Sequence, residues 1–123
     1  MLDTAYTLYR FFSSFGLPAF VENNVPDVPG LYEPPYITYE LREPEPGKQT
    51  SLVARVWYLE DGFENISKTV DEIKTAVGQG LRLPSGDGIL CIWLDEPFCQ
   101  YQPPDEPKIK IAYLMFVLGA YKT

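Results

Sequence analysis

The sequence predicts an α+β fold, in which two amphipathic helices pack on a mainly antiparallel sheet of about four to five strands. The runs 36–42 and 51–59 are rich in β-branched and aromatic residues and are bounded by proline, glycine or charge, as neighbouring antiparallel strands are. Two further segments carry apolar residues at helical spacing. The 123 residues are expected to form one α+β domain, 1–123, that buries roughly two-thirds of its unfolded surface.

The first helix is predicted to start at a cap on Asp3 or Thr4 and to run to about Ser14. Gly16 and Pro18 then end it. Its apolar residues recur at spacings of three and four and are expected to pack on the sheet: Leu2, Ala5, Tyr6, Leu8, Tyr9, Phe12 and Phe15. The alternative is that the two tyrosines face a neighbouring subunit.

The second helix is predicted from one regular apolar stripe, formed by Phe63, Ile66, Val70, Ile73 and Val77. A capping box of Asp61 and Glu64 is expected to begin it, and Gly78 and Gly80 to end it. The helix is therefore expected to lie on the central strands.

Two loops separate the early elements. The range 17–35 carries five prolines and is predicted to be an ordered, extended connection with a short strand over 19–22. The range 43–49 joins the two long strands and holds two prolines and three charged residues. It is expected either to protrude and contact a neighbour or to be a solvated turn.

Arg55 is the one charged residue on an otherwise apolar face of the second long strand, which alternates over 51–59. An ion pair with Glu40 across the strand pair is the favoured expectation. The alternative is that Arg55 points into a subunit interface, where arginine is enriched.

The C-terminal half is predicted to be mostly strand. The run 85–88 favours a hairpin turn, 89–94 is a strand, and 95–108 is a second proline-rich excursion. The last strand, 108–121, puts Ile109, Ile111, Tyr113, Met115 and Val117 on one face and Ala112, Leu114, Phe116 and Leu118 on the other. Its apolar part is too short to cross a bilayer as a helix, so no membrane association is expected.

Composition argues against several functions. A net charge of -7 and scattered basic residues disfavour nucleic-acid binding, whereas an acidic wall lets DNA slide past without binding. The chain has no histidine, and Cys91 and Cys99 lack metal-ligand spacing, so no metal or other cofactor is expected. No catalytic constellation is visible, which predicts that the protein is not an enzyme. The N-terminus has no secretory pattern, and reduced thiols in the cytoplasm are expected.

The order of elements, together with Pro35-Tyr36-Ile37-Thr38-Tyr39 and Arg55-Val56-Trp57-Tyr58, resembles the tail terminator family of long-tailed bacteriophages. That family includes prophage proteins described as minor capsid or head-tail joining proteins. The resemblance implies a homo-oligomeric ring, commonly of six subunits, that caps the tail tube and contacts tube and neck proteins while DNA passes through. It also implies assembly in the host cytoplasm and a final place in the virion.

The resemblance supplies no catalytic residues. Candidate residues of a subunit or tube interface are inferred instead: Tyr36, Glu43, Glu45, Lys48 and Arg55. One alternative function is a small peptide- or ligand-binding module with a pocket near Tyr32, Tyr36, Phe98 and Tyr101. Another is a head-closure or stopper protein of the neck.

Overall fold

The computed structural model describes residues 3–22, 33–102 and 108–122. Its six strands form one sheet in the order β1-β2-β3-β6-β5-β4, in which β1 is parallel to β2 and the other neighbours are antiparallel. The α+β class with two helices is confirmed, although the sheet is mixed and larger than expected. The elements are α1 Thr4–Ser13, β1 Ala19–Val21, β2 Tyr36–Tyr39, β3 Gln49–Leu59, α2 Glu64–Val77, β4 Leu81–Ser85, β5 Gly88–Gln102 and β6 Ile109–Lys122.

Both helices pack on the same face of the sheet, and the core lies between these two layers. The α2 stripe is buried as predicted from Ile66 to Val77, whereas Phe63 stays 49% exposed. Fully burying one such aliphatic side chain stabilises the fold by roughly 1.5–3 kcal/mol. The facing sheet residues alternate along the two central strands: Leu52, Ala54 and Val56 on β3, and Ala112, Leu114, Phe116 and Leu118 on β6.

The predicted packing face of α1 is rotated from the observed one. Asp3 caps the helix through its side chain, which accepts from the Tyr6 N–H. The buried helix residues are Leu8, Phe11 and Phe12, with two threonines, whereas Tyr6 is 57% and Tyr9 is 51% exposed. The prediction that these two tyrosines pack on the sheet is therefore wrong. The Phe12 ring instead stacks on Tyr39 of β2, with centroids 4.7 Å apart.

The start of α2 also differs from the prediction. Asp61 is not the cap, because the helix begins after Phe63, whose side chain makes no capping hydrogen bond. The carboxylate of Glu60 accepts from the N–H groups of Asn65 and Ile66 at 3.2 Å each. A residue just outside the helix thus satisfies two of its free donors.

The strand predicted over 89–94 is β5 in the structure, and it is much longer than predicted. The hairpin turn is confirmed, and it joins β4 to β5. No strand was predicted at the position of β4. β5 then continues to Gln102, with its register against β6 shifting between Leu94 and Cys99. Pro97 lies inside this irregularity, where a missing ladder donor is tolerated. The remainder of the proline-rich excursion, 103–107, lies outside the described residues, as does 23–32 of the earlier one.

Candidate assembly surface

The sheet face opposite the helices is apolar, and we call it the open face. The strand registers place alternating residues of β1, β2, β3, β5 and β6 side by side on it. An apolar face that neither helix covers is typical of a surface that contacts another protein. Its half-buried members are Phe20, Tyr36, Val53, Trp57, Ile89, Trp93, Ile111, Tyr113, Met115 and Val117.

An aromatic row crosses the open face from β1 to β3. The ring centroids of Phe20 and Tyr36 are 6.1 Å apart, and those of Tyr36 and Trp57 are 5.7 Å apart. The Trp57 indole N–H donates to the buried Thr38 hydroxyl at 3.0 Å. Partial burial raises the pKa of the Tyr36 hydroxyl above its ordinary value, so this phenol is neutral at physiological pH, as an unperturbed tyrosine also is. The row therefore presents fixed, uncharged rings.

Arg55 lies at the centre of the open face. Among the described residues there, it carries the only guanidinium. It pairs with Glu22 at the end of β1, and its guanidinium carbon lies 4.8 Å from the Tyr113 ring centroid. The predicted pair with Glu40 is wrong. Glu40 accepts from the Val53 N–H at 2.9 Å and pairs with Arg42 at 3.0 Å, and the residue opposite Arg55 on β2 is Thr38.

One donor of Arg55 is unsatisfied. The Nε atom is buried and makes no hydrogen bond among the described residues. A buried donor without a partner costs about 1–3 kcal/mol.

The predicted interface residues fall into two separate groups. Tyr36 and Arg55 both lie on the open face, whereas Glu43, Glu45 and Lys48 lie in the loop before β3. Arg55 lies six residue steps beyond Gln49 along that strand, which is roughly 20 Å. The structure thus brings two of the five residues together and leaves the other three at the opposite end of the sheet.

The loop before β3 is ordered by contacts to the end of β6. β2 ends at Tyr39, earlier than predicted, so the connection spans 40–48. The Gly47 N–H donates to the Ala120 carbonyl at 2.8 Å, and Pro44 is buried. Lys48 pairs with Glu45 at 2.9 Å, whereas the exposed Glu43 makes no ion pair with a described residue. The loop thus holds, on an ordered backbone, a carboxylate that has no ion-pair partner in the described ranges 3–22, 33–102 and 108–122.

Trp93 is held tightly on the open face by its neighbours. It was not among the interface residues predicted from the sequence. A Cβ at Gly80 would lie 2.8 Å from its indole nitrogen, and one at Gly119 would lie 3.0 Å from its ring. The indole thus packs directly on the backbone at two glycines. A glycine inside the apolar strand β6 was the available signal, since such glycines mark close approaches.

The ligand pocket proposed from aromatic residues does not form among its described members. Tyr36 lies on the open face, whereas Phe98 is buried against Phe116 on the helix side, with centroids 5.4 Å apart. Tyr101 contacts Phe63 at 5.3 Å on that same side. Tyr32 lies outside the described residues. Three of the four predicted residues therefore do not line one cavity.

The Cys99 thiol is not activated by its surroundings. Cys91 is buried on the open-face side of β5, and Cys99 faces the core, so the two free cysteines point to opposite faces. Burial raises the pKa of Cys99, and burial followed by the nearby Cys99 raises the pKa of Tyr101 to about 12. A raised thiol pKa leaves little thiolate to act as a nucleophile.

The described residues carry neither a metal-binding cluster nor a membrane-spanning helix. They contain no group of three or more His, Cys, Asp or Glu side chains that could hold a metal ion. Over the same residues, no helix is long and apolar enough to span a membrane.

Comparison with known proteins gives no family assignment. No protein-family model matches the chain, and no curated protein matches it.

Proposed function

We propose that this chain is a structural protein of a phage or prophage tail, a tail terminator that assembles into a homo-oligomeric ring on the tail tube. The observation that carries the proposal is the open face, whose apolar surface is covered when a second copy packs on it. The ring contacts tube and neck proteins and has no catalytic role. It assembles in the host cytoplasm and becomes part of the virion.

The composition of the open face supports a protein partner over a small molecule. Interface centres are enriched in tyrosine, tryptophan, phenylalanine, methionine and arginine, and the open face holds all five types. Tryptophan, tyrosine and arginine also dominate the residues whose truncation costs most binding energy. Small-molecule sites are instead concave, and the described residues that the sequence nominated for a pocket, Tyr36, Phe98 and Tyr101, do not line one cavity.

The charge supports a lumen through which DNA passes. The chain carries 17 acidic and 10 basic residues, and a ring of several copies multiplies that excess. Phosphates are repelled by such a surface, so DNA moves through without binding. Tight DNA binding by the assembled protein would argue against this role.

Negative-stain electron microscopy of the purified chain tests the proposal. The expected images show closed rings of uniform diameter with a central opening. Particles without an opening, at every protein concentration that can be reached, would refute the ring. A variant with a charge on the open face should lose the rings while it keeps its circular dichroism spectrum.

A further inference from the structure

A groove on the helix side of the molecule lies between α1, α2 and the edge strand β4. It encloses about 430 Å³, within the range of roughly 300–1,000 Å³ that binding clefts occupy. Its walls are mostly apolar, and its exposed aromatic ring is that of Tyr6. The residues that line the groove include Tyr6, Arg10, Phe11, Leu81 and Leu83.

Arg10 is the basic residue of this groove. Its guanidinium carbon lies 5.7 Å from the Tyr6 ring centroid, which fixes the side chain over the aromatic wall. It makes no ion pair with a described residue, whereas Arg42 and Arg55 do. In a chain of net charge -7, an arginine without a carboxylate partner in an apolar groove favours an acidic segment as occupant.

The loop 40–48 is an acidic segment of matching chemistry. Glu43 is exposed and unpaired among the described residues, and it is flanked by the buried Pro44. The contact of Gly47 with Ala120 holds the loop backbone in place, so little conformational entropy is lost when the loop binds. Among the described residues, the Glu43 carboxylate of this preordered loop and the Arg10 guanidinium of the groove both lack an ion-pair partner, so the two are complementary in charge.

Resting on the proposed ring, we infer that the loop 40–48 of one copy docks in the groove of the next copy, where Glu43 pairs with Arg10. A closed ring needs two different surface patches on each subunit. The loop lies at one end of the sheet and the groove lies on the helix layer, so the contact is head-to-tail. It adds a polar, register-setting contact to the apolar open face.

Charge reversal and charge exchange test this contact by sedimentation velocity over a range of concentrations. Arg10→Glu and Glu43→Arg should each weaken assembly at least about tenfold, since like charges then meet. The double variant, Arg10→Glu with Glu43→Arg, should recover most of the lost affinity. Lys108→Glu, an equal charge change at an exposed residue away from both patches, is the matched control and should leave assembly unchanged.

The outcomes separate this contact from the ring itself. The pairing is overturned if the Arg10→Glu variant still forms rings. It is also overturned if the single variants weaken assembly and the double variant does not recover it. Neither result contradicts the ring itself. A wild-type chain that stays monomeric overturns the proposed function, and this contact falls with it. Circular dichroism establishes that each variant is folded before its assembly is compared.

Discussion

Replacing Met115 by lysine places a charge at the middle of the open face. Met115 lies on β6, directly opposite Val53 of β3 and two residues from Tyr113, and it is half-buried. Lysine has a similar unbranched stem, so the side chain covers the same surface while its ammonium group reaches water. The free energy of unfolding of the single chain should therefore fall by about 1 kcal/mol or less.

The same lysine is far more costly once another copy covers the open face. A buried charge without a partner destabilises a contact by about 3 kcal/mol or more. Since about 1.4 kcal/mol corresponds to a factor of ten, the dissociation constant of assembly should rise at least about 100-fold. Each subunit carries the substitution, so every contact in a ring is weakened.

Sedimentation velocity at several concentrations measures the dissociation constant, and urea denaturation measures the stability of the single chain. Met115→Leu keeps the volume and the apolar character, so it should assemble like the wild type. If the folded Met115→Lys variant assembles within about threefold of the wild-type constant, then the open face is not covered by another copy.

Three other predictions concern the fold. Phe116→Ala removes a ring against which three other phenylalanine rings pack, and urea denaturation should show a loss of about 3–5 kcal/mol. Gly80→Ala places a methyl group 2.8 Å from the Trp93 nitrogen at a positive φ, so stability should fall by about 1–3 kcal/mol and tryptophan fluorescence should shift; an unchanged spectrum would mean that Trp93 is not clamped. The pKa of Tyr101 is raised to about 12, so the folded state binds this proton more tightly than the unfolded state does. The contribution of Tyr101 to the free energy of unfolding is therefore complete below about pH 10 and lost between about pH 10 and 12. Ultraviolet titration of the phenolates should show a late step that includes Tyr101, and the Cys99→Ser variant should bring the Tyr101 part of that step to lower pH.

Elements whose pattern depends on local spacing were predictable. The α2 stripe and the alternation of β6 are set by periods of 3.6 and 2 residues, and both are observed. The rotation of α1 was not predictable, because tyrosine rings are apolar in a periodicity count yet remain exposed at Tyr6 and Tyr9. The extension of β5 was missed because Pro97 normally ends a strand, and only the neighbouring strand shows that the register shifts around it.

The site was only partly predictable because its contacts are distant in sequence. The charge of Arg55 on an apolar face marked an unusual position. Its partner, Glu22, reaches it through the parallel pairing of β1 with β2, which no local pattern encodes. The open face as a whole follows from the strand order, since β6 is inserted between β3 and β5.

The mass of the assembled protein shows directly whether the chain forms a closed ring. Native mass spectrometry of the wild-type chain should show one closed oligomer, and six subunits of 14.0 kDa would weigh about 84 kDa. The Met115→Lys variant should shift this population to the single chain. A wild-type spectrum with only the 14.0 kDa species at all concentrations would contradict both the covered open face and the ring.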